Sequence, residues 1–508
     1  MRHAASQALT CVVKGSMKKR LAVVLAAAII GVIAVSTFAT IEIYPRFADA
    51  SKKPFYVGVT YCGDSVSEAE QLINKVKNYT NLFVLDSGSL IENVPSIEQI
   101  GDYAVDAGLY VLLYYSSSNP VSTCLNLITI AQARWGNHFL GLYYNDEPGG
   151  KMLDAEVNLY DPHMGETLTK DQDGTLYVQN VTNSINSTSS VAYLRSGEVE
   201  VNRSEPSLGL TKFYTTFYYL NGTISYTTET WSTSDNTKTI QTLFYQPNGV
   251  VETSTGAIVT DAGNISQFEP YQELWDSRPI QSYSEAAETF EKTVQNSLSP
   301  IKSQSGVKLF TSDYALDWFD YQSGYDVVLA QLGWNQSTTQ NIAEVRGAAD
   351  MQGKSWGAMI VWQTLAPPYL QSGSQMYSEM KQAYESGAQY VVVFNYAPDI
   401  DSSLGLLQEQ HYAALQSFGT TVVQNKSETN NVKGEDALVL PNDYGWGMRN
   451  PTDNIWGLWQ SDQNSPKVWT AMQSALSKYG SKLDIIFNDP AYPIAGRYQH
   501  VSYWNQTN

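Results

Sequence analysis

Two adjacent acids close the run Phe139-Leu-Gly-Leu-Tyr-Tyr-Asn-Asp-Glu-Pro148, and their setting favours chemistry. The run is apolar and aromatic up to Tyr144, then changes to an amide, Asn145, two carboxylates, Asp146 and Glu147, and a proline, Pro148. A carboxylic acid at the carboxyl end of a buried parallel strand stands where barrel enzymes gather their reactive groups. Pro148 stops the strand and restricts the backbone before it, so Glu147 is expected to be aimed. Glu147 is the expected proton donor, with Asp146 close enough to raise its pKa. The blander reading makes Glu147 a cap for the next segment or the partner of an arginine.

The other apolar runs end in similar residues. They bring Tyr61 and Cys62, Asp86, Tyr114 and Tyr115, Asp313, Gln331 and Trp334, Trp362 and Gln363, and Asn395 and Tyr396. Acids, amides and large aromatics dominate, with no histidine or lysine among them. Hydrolysis of a glycosidic bond needs such a set: one carboxyl as acid, a second as base or nucleophile. Aromatics stack on sugar rings while amides bond their hydroxyls. Asp313 and Asp86 are the candidates for the second carboxylate, although Ser312-Asp313 also suits a helix cap and Asp86-Ser-Gly88 a turn. Asp317 and Asp320, flanking Trp318, read as surface residues of a short helix. The five histidines lack metal-ligand spacing, and neither a phosphate-binding loop nor a Gly-x-Ser-x-Gly elbow is present, so no metal or cofactor is expected.

What must position these residues is an alternation of strands and helices. Phe55 to Tyr61, Leu82 to Asp86, Leu109 to Tyr115 and Phe139 to Asn145 read as strands, with helical patterns between them. The rhythm breaks over residues 151 to 280, rich in Thr, Ser, Tyr and Asn, where Asn221-Gly222 marks a hairpin turn. It resumes with strands at Val307 to Asp313, Asp326 to Gln331, Trp356 to Trp362 and Tyr390 to Asn395. Four strands before the break and four after predict an α/β fold, a (β/α)8 TIM barrel. The first strand-to-helix turn lacks the glycine-rich fingerprint of a doubly wound sheet. The expected organisation is barrel over 54–150 and 281–423, an inserted β-rich module over 151–280 beside Glu147, and a small α/β appendage over 436–508.

Composition sets the surroundings. Of 508 residues 16% are charged, 34 are Tyr and 12 are Trp, and 50 acids against 31 bases leave a net charge of −19. Such a surface repels phosphate backbones, which argues against nucleic acid and suits a neutral carbohydrate partner. Residues 1–20 end in the basic Lys18-Lys19-Arg20. Leu21 to Ile41 is then an uncharged run long enough to cross a bilayer, a signal-anchor that sends the remainder outside the cell. Ala48-Asp-Ala50 offers a cleavage site that would instead release a secreted protein. Asn-x-Ser/Thr sequons at Asn78, Asn180, Asn186, Asn202, Asn221, Asn264, Asn335, Asn425 and Asn505 agree with an extracellular glycoprotein. Cys62 and Cys124 then lie outside, as buried free thiols or as a pair.

The strand-terminal Asn145-Asp146-Glu147-Pro148 resembles the Asn-Glu-Pro motif of clan A glycoside hydrolases. In that clan the Glu ends the fourth barrel strand and is the acid/base, a role the resemblance gives to Glu147. The resemblance covers the barrel, residues 54 to about 420 without the insertion. A small α/β domain after the barrel is also similar to some β-galactosidase-like members. Asp146, between the amide and the glutamate, departs from the motif. The clan's nucleophile is a Glu ending the seventh strand, whereas this chain has Val361-Trp362-Gln363-Thr364. Either the second carboxylate comes from another strand, or the barrel has become a carbohydrate-binding or structural surface protein.

Overall fold

The computed structural model describes residues 52–154, 167–182, 187–207, 210–232, 234–397, 404–422, 428–430 and 433–506. The expected basic segment, signal-anchor and cleavage site, and the sequons at Asn186 and Asn425, lie outside the described residues. Among the described residues no helix is long and apolar enough to cross a membrane.

Eight parallel strands close into a barrel. In chain order they are Tyr56–Tyr61, Leu82–Leu85, Tyr110–Tyr115, Phe139–Tyr144, Leu309–Asp313, Val327–Leu332, Ser355–Ile360 and Tyr390–Val393. Tyr390 pairs with Tyr56 to shut the ring, and Leu309 pairs with Leu142 across the break in the alternation. Successive side chains of a strand point to opposite faces. Inward residues such as Leu82, Val84, Phe310, Leu329, Val392 and Tyr390 fill the lumen. Their neighbours, among them Phe83, Leu85, Val328 and Val393, pack outward under the helices. Those helices are amphipathic: Val66–Val76 buries Ala69, Leu72, Ile73 and Val76, while Ser67, Gln71 and Asn74 are exposed. Only seven residues, Asp317–Ser323, form the helix between the fifth and sixth strands.

Between the fourth and fifth strands the chain builds an eight-stranded antiparallel sheet, from Thr167–Lys170 to Val251–Thr253. Val199, Tyr218, Ile224, Tyr245 and Val251 line up across it and form a core of their own with Leu274. After the barrel, Leu483–Phe487, Asp436–Leu440 and His500–Tyr503 make a three-stranded parallel sheet in that spatial order. This piece is fused to the barrel. Its strand Leu483–Phe487 lies on the barrel helix Thr338–Gln352 so closely that a Cβ on Gly347 would stand 2.6 Å from the Ile485 carbonyl. Arg346 from that helix reaches Asp484 at 2.7 Å, with exposures of 1% and 0%. A buried pair of this kind contributes little net stability, but losing one partner strands a charge.

Candidate active site

The lumen positions at the carboxyl ends of the strands form the mouth. Following the inward parity of each strand, these are Cys62, Asp86, Tyr114, Ser312, Gln331, Val361 and Phe394, with Tyr143 from the fourth strand. A cavity of about 230 Å³ opens there, walled by Tyr143, Asp146, Glu147, Ser312, Gln331 and Trp334 and closed by Met359, Val361, Trp362, Phe394 and Tyr396. One wall is polar and the other apolar.

Glu147 is held by its backbone. It has left-handed geometry, φ 54 and ψ 48, and caps the helix Pro148–Leu153, with Pro148 in the first turn. Pro148 therefore opens a helix as well as stopping a strand, a place where its missing N–H costs nothing. A residue before proline is normally extended, so the turn at Glu147 carries strain of roughly 1–2 kcal/mol. Two bonds fix it: the Glu147 N–H donates to the Ser312 carbonyl at 3.0 Å, and its own carbonyl accepts from the Lys151 N–H at 2.9 Å. Asn145 (φ 55), Trp334 (φ 52) and Asn335 (φ 55) share this conformation around the mouth.

Asp313 corrects the sequence expectation. It is 1% exposed and faces away from the cavity, because the strand's alternation turns Ser312 inward and Asp313 outward. Its carboxylate accepts the N–H groups of Gly149 (2.6 Å), Gly150 (2.8 Å), Tyr314 (2.8 Å) and Ala315 (3.2 Å). It clamps the helix that Glu147 begins, and the approach requires glycine: a Cβ on Gly150 would stand 2.2 Å from the Tyr314 ring. The helix's far end is braced from the appendage. Asp154 accepts from Tyr314 at 2.6 Å and pairs with Arg449 at 2.8 Å.

Gln331 organises the polar wall. Its Nε2 donates to Glu147 Oε1 at 2.6 Å and Ser312 Oγ at 2.9 Å, while its Oε1 accepts from Trp334 Nε1 at 2.8 Å. Asp146 accepts from Tyr143 OH and from Ser312 Oγ, the latter at 2.9 Å. Lys151 donates to the Asp146 carbonyl at 2.7 Å and stays 3.9 Å from Glu147. Burial, then the charge of Asp146, pushes the Glu147 carboxyl up to about 8, against the pull of the Gln331 bond. Burial and then Asp146 raise Asp86 to about 7, and burial followed by Asp86 raises the Cys62 thiol well above its ordinary value.

The remaining candidates divide by parity. Tyr114 faces the lumen with its ring 5.4 Å from Tyr143, whereas Tyr115 faces outward and donates to the Pro120 carbonyl at 2.7 Å. Tyr396, 41% exposed, lines the cavity. Asn395 is turned away: its amide bonds the Leu404 carbonyl at 2.7 Å and the Leu407 N–H at 2.9 Å. Gln363 and Asn145 are loop braces, accepting from the N–H groups of Asn335 (3.2 Å) and Ser117 (2.8 Å). Trp334 and Trp362 line the cavity, and the antiparallel sheet contributes none of its lining. Asp317 and Asp320, expected at the surface, are buried behind Asp313 beneath the appendage, with Phe319 5.1 Å from Phe487. Cys62 and Cys124 are free thiols, the first half-buried at the mouth. Sequence reading misses Tyr143, Ser312, Met359, Val361 and Phe394, although counting by twos along the fifth, seventh and eighth strands finds Ser312, Met359, Val361 and Phe394.

No family model matches the chain, and no curated protein matches it either. Among the described residues no group of three or more His, Cys, Asp or Glu is arranged to hold a metal ion.

Proposed function

We propose that this barrel is a glycoside hydrolase, anchored in the membrane by residues 21–41 with its catalytic part outside the cell. The observation that carries the reading is the pairing of Glu147 and Asp146 on the polar wall of one cavity. Glu147, raised to about 8, keeps its proton at neutral pH. Asp146 is set by two hydroxyl donors. Glu147 gives its proton to the glycosidic oxygen as the bond to the anomeric carbon breaks, the electron pair leaving with that oxygen. Water adds to the anomeric carbon and its proton passes to Asp146. Asp86, whose carboxyl is raised by burial and by Asp146, stands outside the cavity lining. The aromatic wall, with Trp334 and Trp362, suits the apolar face of a sugar.

A second reading, a barrel that binds glycan without cleaving it, is favoured by one observation. Asp313 faces away and Gln363 holds the seventh strand's end, so Asp146, the neighbour of Glu147 in sequence, is the other acid among the lining residues. Hydrolysis of an aryl-glycoside and glycan panel by the purified full-length chain, beside Glu147→Gln, decides between them. Activity lost in the variant supports the hydrolase, and equal activity in both removes Glu147 from it. Binding without turnover in both supports the second reading.

A further inference from the structure

The cavity beside Glu147 is blind. Directly below Ser312 and Gln331, the next inward residues of the same strands are Phe310 and Leu329, both fully buried. Phe310 meets Tyr390 edge-on at 5.1 Å, and Tyr390 stacks on Tyr56 at 5.1 Å, so rings plug the lumen. The cavity's volume is about 230 Å³. It is below the ~300–1,000 Å³ usual for drug-sized ligands. Its walls enclose about one six-membered ring, and a ring joined to it extends through the open mouth. The side walls do not give way easily: Trp334 and Trp362 meet at 6.0 Å, and Trp362 Nε1 donates to the Tyr396 carbonyl at 2.7 Å. Among the lining residues two are acids and none is a cation. Lys151 is not among the lining residues: it donates to the Asp146 carbonyl at 2.7 Å and lies 3.9 Å from Glu147.

Resting on the glycosidase reading, we propose that the site takes one uncharged sugar from the end of a glycan chain. The terminal ring fills the blind pocket, the glycosidic oxygen stays at the mouth beside Glu147, and each cleavage frees a single monosaccharide. Interior linkages cannot reach Glu147 without threading a plugged lumen. Acidic sugars meet the carboxylate of Asp146 with no cation among the lining residues.

Two measurements on the full-length protein test this. The first follows product sizes from 4-nitrophenyl glycosides of neutral sugars and uronic acids, and from neutral oligosaccharides with free or chemically capped non-reducing ends. Monosaccharide alone, from free ends, with uronides and capped chains slower by more than about 100-fold, is the expected result. Mixed-length products, or capped chains cut at the same rate, would overturn the proposal. The second titrates tryptophan fluorescence of Glu147→Gln with free monosaccharides, repeated with Trp334→Phe added and with a melting curve confirming each fold. Saturable quenching by neutral sugars, reduced without Trp334, is expected. Such quenching without hydrolysis of any panel member keeps the one-ring pocket and removes the glycosidase reading. If no neutral monosaccharide perturbs the emission, the pocket proposal falls.

Discussion

Gln331 donates to Glu147 across 2.6 Å while accepting from Trp334 at 2.8 Å, so a neutral amide fixes the acid and an aromatic ring of the same cavity together. A cation in that place would hold Glu147 ionised. An amide restrains the carboxyl while leaving burial in control of its proton.

In the glycosidase reading the rate falls as pH rises through about 8, where Glu147 loses its proton. Gln331→Leu removes a bond that stabilises the ionised form, so this basic limb moves to higher pH, by about half a unit to one unit. The loss of restraint lowers kcat by about tenfold. Gln331→Lys places an ammonium beside the carboxylate and moves the limb to lower pH, by more than about one unit. pH–rate profiles of the three proteins check the signs, and limbs that stay put in both variants would remove Glu147 as the titrating acid.

The same raised carboxyl makes stability fall with pH. Unfolded, Glu147 ionises near its ordinary 4.5, and folded near 8. Between those values the folded chain binds more protons, so each pH unit gained weakens folding, in total by on the order of 5 kcal/mol. Glu147→Gln abolishes this term. The variant should match the parent's melting temperature near pH 4 and exceed it at pH 9, as calorimetry across that range would show. A variant less stable than the parent at pH 9 contradicts the burial argument.

Asp313 and Asp146 separate by what accompanies lost activity. Asp313→Ala orphans four backbone N–H groups and should cost roughly 3–5 kcal/mol of stability along with activity. Asp146→Asn should lose activity with a melting temperature within a few degrees of the parent. Thermal melts beside initial rates make the comparison. An Asp313→Ala protein that is inactive yet melts like the parent would return Asp313 to the chemistry.

Arg346 and Asp484, at 2.7 Å, join the barrel to the appendage. Either Arg346→Met or Asp484→Leu alone should destabilise by about 3–5 kcal/mol, whereas the double variant recovers most of that loss. A thermal double-mutant cycle measures the coupling, and additive losses would mean that the pair is not the junction.

The barrel was legible because each strand is a short apolar run and each helix has one apolar face, patterns local to a few residues. The mouth was half legible. The ends of the strands are readable, but a run of end residues does not separate neighbours such as Tyr114 and Tyr115, or Asn395 and Tyr396, which the pleat sends to opposite faces. The same alternation turns Ser312 into the cavity and Asp313, the candidate carboxylate, away from it. Left-handed geometry at Glu147 was not readable, since proline predicts extended backbone before it and the carbonyl of Ser312 that overrides this comes from a distant strand. Nor was the burial of Asp317 and Asp320, because what covers their helix is Phe487, far along the chain.

The lid over that helix arrives late. A ribosome will have released all eight barrel strands before it makes Leu483–Phe487, and until then Arg346 lacks Asp484, and Trp318 and Phe319 lack Phe487. The long excursion of the antiparallel sheet delays the Leu309–Leu142 pairing as well. Growing chains of this protein therefore carry an incomplete surface for most of their synthesis, a slow assembly dominated by distant partners. Premature termination close to the carboxyl end would be far more damaging than the small size of the missing piece suggests.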